Sequence, residues 1–240
     1  MNLVLLSPSD FINSNEIVIH GKDRRLIHIL NVHKAKIGTK LLVGVLNSRI
    51  GTGLITNIDK NICKITITLT DNPPPPLPCI LVIALQRPKV LKRILECVSG
   101  LGIKKIYIIE TWRVEKSFWN SPLLNQKYFE KHCILGLEQS KDTVLPSIET
   151  RKKFKPFVED ELPQIIKGTK ALVAHPEAKN VFPAFSGEKV TLAIGPEGGF
   201  IPYEIEMLNK NGFDIINFGK RIIKTEWFIP FAIGKLFPNI

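Results

Sequence analysis

Two short segments concentrate the groups that chemistry would need. Gly195-Pro196-Glu197-Gly198-Gly199-Phe200 follows the apolar run VTLAIG (190–195) and precedes the amphipathic stretch PYEIEMLNKNG (202–212). Open α/β sheets hold ligands at such strand-to-helix turns, in the crevice beyond the carboxyl ends of the strands. Its three glycines let main chain approach a ligand closely and present N–H and C=O groups to it directly. The spacing is neither GxGxxG nor that of a phosphate-binding P-loop, so dinucleotide and P-loop readings have no support. A glycine-rich turn without a ligand is the plain alternative. The second segment, Phe218-Gly219-Lys220-Arg221-Ile222-Ile223-Lys224-Thr225-Glu226, gathers three cations, a hydroxyl and a carboxylate after the strand-like run DIINFG (214–219). Thr and Glu there would equally serve to start a helix. A third strand end, Ala174-His175-Pro176-Glu177, follows ALVAH (171–175). A lone histidine is more often structural than catalytic, but three polar strand ends on one sheet edge are less readily chance.

The elements that must position these segments come in two kinds, separated by Asp71-Asn72-Pro73-Pro74-Pro75-Pro76, a stiff stretch unable to donate backbone hydrogen bonds at its prolines. Before it lie short β-rich runs, EIVIH (16–20), KLLVGVL (40–46), GLITNI (53–58) and CKITITL (63–69), joined by turn residues. They predict a small barrel or sandwich over residues 1–72, interrupted by a short basic helix near 22–34. After it, CILVIAL (79–85) reads as a buried strand and PKVLKRILECVSGLG (88–102) as an amphipathic helix. KKIYIIE (104–110) reads as a strand and LLNQKYFEKHCILGLEQS (123–140) as a helix. A mixed loop then leads to the strands and helix around the glycine turn. Strands alternating with helices predict an α/β domain over 73–240, its parallel sheet covered on both faces. There is no internal repeat.

Composition narrows the partners. The chain has 240 residues, 44% hydrophobic, with a formal net charge of +11. Such a surface attracts phosphate polymers. Most of the cations are lysines in a chain also rich in Ile and Asn, so codon bias would give part of the same surplus. The four cysteines, Cys63, Cys79, Cys97 and Cys133, form no CxxC pair, which argues against a zinc site or disulfide framework and for a reduced cytoplasmic protein without metal. The first residues lack a signal-peptide pattern, and the longest apolar run is too short to span a bilayer.

The motifs together carry a resemblance. LAIGPEGGF (192–200) and FGKRIIKTE (218–226) look like the two signature segments of RsmE-type SPOUT methyltransferases. HILNVHKAKIGT (28–39) is similar to their amino-terminal signature, Glu138-Gln139-Ser140 to their central motif, and Arg113 falls where they carry an arginine. The resemblance implies a PUA-like β barrel joined to a SPOUT domain with a carboxy-terminal trefoil knot, acting as a homodimer. It implies S-adenosyl-L-methionine as cofactor and N3 of a uridine in 16S, small-subunit ribosomal RNA as target. Carried over residue by residue, the cofactor cleft would be formed by Ala174, His175 and Pro176, by Ile194, Gly195, Pro196, Glu197, Gly198 and Gly199, and by Phe218, Gly219, Ile222 and Ile223. Arg221 would stabilise negative charge developing on the uracil. Glu138 and Glu226 are candidates for proton handling, or equally for ion pairs with neighbouring cations. Arg24, Arg25, His28, Lys34, Lys36, Arg113 and Lys224 would hold RNA, although each alone is as readily a solvated surface charge.

This chain departs from the family pattern in three places. Trp227-Phe228-Ile229-Pro230 replaces small residues and an Ala/Leu-rich helix. Cys97 and Gly100 replace a Lys and a Glu, and Lys141-Asp142 replaces a Gly-Arg. The cofactor-facing glycines are retained while RNA-facing positions differ. That leaves open a SPOUT enzyme with another target, such as a ribose 2′-hydroxyl, or a non-catalytic RNA-binding assembly factor.

Overall fold

The computed structural model describes residues 1–181 and 187–238. The chain divides into two compact units, Met1–Pro75 with Ile134–Leu145, and Pro76–Cys133 with Pro146–Ile240. The segment 134–145, which the sequence pattern leaves inside the larger domain, thus packs with the amino-terminal unit.

That first unit is a five-stranded sheet. Its strands are β1 (Val4–Leu6), β2 (Glu16–His20), β3 (Lys40–Val45), β4 (Ile50–Ile58) and β5 (Ile62–Asp71), in the order β1-β3-β4-β5-β2. β1 runs parallel to β3 and the other pairs are antiparallel. Period-two alternation sends Ile17, Ile19, Cys63, Ile65 and Ile67 to the core, and helix α1 (Arg24–Asn31) adds Leu26 and Ile29. Each such aliphatic side chain contributes about 1.5–3 kcal/mol of burial. Register shifts at Ile50/Gly51 and Ile55/Asn57 curl the sheet. Asp23 caps α1, accepting from the Arg25 amide at 2.8 Å.

Segment 134–145 completes this unit. Leu137 is buried with Leu3, Leu5 and Ile50. The Glu138 carbonyl accepts from the amides of Asn2 and Leu3, both at 3.0 Å, and the Thr143 hydroxyl donates to the Ser48 carbonyl.

The second unit is an all-parallel sheet of seven strands. They are β6 (Cys79–Ala84), β7 (Lys105–Ile109), β8 (Ser147–Arg151), β9 (Lys170–Ala174), β10 (Asn180–Val181), β11 (Val190–Ile194) and β12 (Asp214–Asn217), in the order β10-β12-β9-β11-β6-β7-β8. Successive residues point to opposite faces, and β11 is buried at every position, so both faces of its centre are covered. The longer helices are α2 (Pro88–Gly100), α3 (Gln126–Ser140, whose second half belongs to the first unit), α4 (Pro202–Lys210) and α5 (Thr225–Leu236). Pro88 and Pro202 open their helices, where a missing N–H costs nothing. Pro230 instead lies beyond the first turn of α5 and removes the donor for the Glu226 carbonyl, at a cost of roughly 3 kcal/mol in a helix interior.

Candidate active site

Three adjacent strands, β12-β9-β11, run parallel, so their carboxyl ends meet on one edge. Ala174–Pro176, Ile194–Phe200 and Phe218–Lys224 leave those ends and line a single cleft of about 1670 Å³. The neighbouring end of β6 leads through Arg87 into α2, whose first turns form the facing wall with Val90 and Arg93. Every residue assigned to a cofactor site by the sequence motifs lies on this lining, as do Arg221, Lys224 and Glu226.

Local hydrogen bonds set the shape of each loop. The His175 amide donates to the Ile216 carbonyl at 3.0 Å. Asn217 Nδ2 donates to the Pro176 carbonyl at 2.7 Å, and its Oδ1 accepts from the Gly219 amide at 2.7 Å, which ties the first loop to the third. In the glycine loop the Gly199 amide closes a turn onto the Pro196 carbonyl at 2.8 Å. Gly199 has φ +72°, a region that penalises any Cβ, and Gly195 packs so tightly that a Cβ would sit 2.9 Å from the Phe200 amide nitrogen. Buried Gln86 donates to the carbonyls of Ala84 at 2.8 Å and Gly195 at 3.2 Å.

Charge on the lining is partly paired. Arg87 meets Glu197 at 3.4 Å, and Arg93 meets Glu226 at 3.1 Å. Lys235 donates to the Phe218 carbonyl at 3.1 Å. Among the described residues no carboxylate pairs with Lys220, Arg221 or Lys224; Lys224 Nζ lies 5.2 Å from the centre of the Trp227 ring. The third loop thus presents uncompensated cations to the cleft, suited to a ligand that is or becomes anionic. No cluster of three or more His, Cys, Asp or Glu able to hold a metal occurs among the described residues.

Several sequence-predicted roles change. Glu138 is 2% exposed, and both its oxygens accept from Arg24, at 2.6 and 2.8 Å, within the first unit. It is a positioning carboxylate there, and a proton-handling role is not supported. Arg24 is correspondingly engaged in that pair. Arg25 is engaged more fully still. Its guanidinium binds Asp10 at 2.6 Å, Asp23 at 2.7 Å and the Leu5 carbonyl at 2.9 Å. His28 sits 3.3 Å from the terminal ammonium; burial first, then that ammonium, His33 and Arg24, lower its pKa and disfavour a cationic phosphate contact. Lys34 and Lys36 are exposed. Arg113 donates to the Gly198 carbonyl, so it supports the glycine loop.

Three positions with local roles were missed. Gln86 carried a faint signal, a polar residue directly after an apolar strand. Arg93 was hidden among the polar positions of α2. Glu204 is 2% exposed and accepts from the Trp112 amide at 2.7 Å and the Ile201 amide at 2.9 Å. Its placement three residues after a helix start was its only trace.

Known proteins resemble this chain in sequence and in fold. A Treponema pallidum protein named ribosomal RNA small subunit methyltransferase E is 28% identical over 232 residues, covering 94% of this chain and 86% of that one. Two solved structures share the fold. A Legionella pneumophila methyltransferase in complex with S-adenosylmethionine has a TM-score of 0.75 at 21% identity, covering 98% of this chain and 96% of that one. The ribosomal RNA small subunit methyltransferase E of Neisseria gonorrhoeae, bound to S-adenosylmethionine, has a TM-score of 0.72 at 17% identity, covering 98% of each chain. The family model for the RNA methyltransferase domain matches residues 73–234, and the chain belongs to that family.

Proposed function

We propose that the protein transfers a methyl group from S-adenosylmethionine to N3 of a uridine in small-subunit ribosomal RNA. The observation that carries this reading is the meeting of three strand-end loops in one cleft beside Arg221, which has no carboxylate partner among the described residues. The lining fits the cofactor. Main chain of the glycine loop suits its polar groups, Val90, Phe118, Leu123 and Ile194 suit an adenine ring, and a Cβ at Gly199 or Gly219 would meet no atom within 4 Å. The names of the Treponema and Neisseria relatives favour the same RNA class.

Bound there, the cofactor would supply a methyl group carried on a positively charged sulfur, which would leave as a neutral thioether. Uridine N3 must lose its proton, and charge then spreads onto the uracil oxygens. Arg221 is placed to stabilise that charge. Glu226, oriented by Arg93, takes the proton. Lys224 and the exposed Lys34 and Lys36 contact RNA phosphates.

The finer architecture belongs to the same reading. In the strand order, β12 lies beyond β9, yet α5 returns to pack on α2 and its Glu226 meets Arg93. That return supports a trefoil knot. The curled amino-terminal sheet with α1 supports a PUA-like barrel that binds RNA. Trp227 and Phe231, four residues apart on α5 and 60% and 39% exposed, together with Ile222, support a homodimer face. A ribosomal RNA substrate places the protein in the cytoplasm.

Two measurements test the reading. Incubating the protein with S-adenosylmethionine and small-subunit RNA, then digesting to nucleosides for mass spectrometry, should yield 3-methyluridine; a 2′-O-methylated nucleoside would instead assign another target. Gly195→Val should weaken cofactor binding by about tenfold or more, because its Cβ meets main chain and the turn must open. Unchanged affinity in a titration would exclude that loop from the cofactor site.

A further inference from the structure

Trp112 is 80% exposed, an indole left in water on a chain that buries most of its large apolar side chains. Its backbone is held from two sides. The Trp112 amide donates to buried Glu204 at 2.7 Å, and the adjoining Arg113 guanidinium bonds the Gly198 carbonyl of the cleft lining. Arg113 also packs over Gly198, its Cδ 3.1 Å from where a Cβ would stand. The ring is therefore carried on a fixed segment beside the glycine loop. Tyr203, 51% exposed, precedes Glu204 on the first turn of α4.

We propose that Trp112 is a stacking platform for an unpaired base of the RNA substrate, next to the nucleotide that enters the cleft. This rests on the methyltransferase reading above. Three observations favour RNA over a protein partner. Chain neighbours Glu110, Arg113, Glu115 and Lys116 are charged, and a lone indole among them matches the size of one base. A stable protein interface instead needs an apolar centre within about 1,000 Å². Arg113 keeps a cation next to Trp112 in the chain, and the net charge of +11 draws a polyanion. Fixed backbone also leaves only the side-chain rotamer of the ring to be ordered on binding.

The test uses full-length protein and a short single-stranded RNA oligonucleotide taken from around the modified uridine. In a Trp227→Phe background, emission then comes from Trp112 and the buried Trp119. RNA should quench it, and quenching should vanish when Trp112→Phe is added. Trp112→Ala should raise the RNA Kd about tenfold, as the loss of one base stack does, whereas Trp112→Phe should stay within about threefold. Cofactor affinity should be unchanged in both. An alanine variant with wild-type RNA affinity, or one that loses RNA only because its sedimentation mass halves, would overturn the proposal. Quenching and affinity are read without turnover, so they test the platform even if no 3-methyluridine forms. Methylation by wild type with no effect of Trp112→Ala would refute the platform alone.

Discussion

Arg221→Ala should bind S-adenosylmethionine as tightly as wild type and lose methyl transfer by about 10²–10³-fold in kcat, the usual cost of removing one charge-stabilising donor. The side chain is exposed on the cleft lining and, among the described residues, has no carboxylate partner. No ion pair among the described residues depends on its charge, so thermal stability should not move. Single-turnover kinetics with saturating cofactor separates the steps, since a defect in RNA binding alone would be overcome by raising RNA concentration. Arg221→Lys should recover only part of the rate, because an ammonium lacks the planar fork that can meet a uracil oxygen with two donors. Full turnover by the alanine variant would remove the proposed electrostatic role.

Arg25→Met should have the largest effect on stability, about 3–5 kcal/mol. Its guanidinium joins Asp10 and Asp23 with side-chain exposures of 13%, 10% and 28%, and removing it strands two carboxylates and the Leu5 carbonyl. The pair also imposes a pH dependence. Burial raises the Asp23 pKa, but the hydrogen bonds and charge of Arg25 outweigh this and leave it below 3.8. A depressed carboxyl stabilises the fold above its unfolded value and loses that contribution as pH falls through the lower folded value. Wild type should therefore lose stability below about pH 4, and the variant should show less of that loss. Urea unfolding at neutral and acid pH measures both. An RNA contact at Arg25 would instead give normal stability with weaker, less salt-dependent RNA binding.

Much of the catalytic-size domain was legible because its signals are local. VTLAI is buried on both faces and reads as a continuous apolar run, and the glycine turn after it has few conformational alternatives. The strand ends carrying Ala174, Ile194 and Phe218 then share an edge by the rules of parallel sheets. Edge elements gave no such signal. β8, SIETR, is half exposed throughout, and β10 has two residues, so neither shows an apolar period. Charged residues were least legible. Glu138 sits in a motif that suggests chemistry, and Arg24 and Arg25 in a basic helix that suggests RNA, but their partners lie up to 114 residues away in sequence. Such pairing follows from packing, as it does for Arg93 with Glu226, 133 residues apart. The docking of 134–145 on the first unit was hidden for the same reason, since helix periodicity continues unbroken through residue 133.

On the proposed function, the three strand-end loops form the cofactor site. Calorimetric titration of the purified protein with S-adenosylmethionine tests it most directly. Saturable binding at one site per chain is expected, abolished or strongly weakened by Gly195→Val and unaffected by Arg221→Ala. Absence of binding heat at millimolar cofactor, or binding indifferent to Gly195→Val, would contradict it.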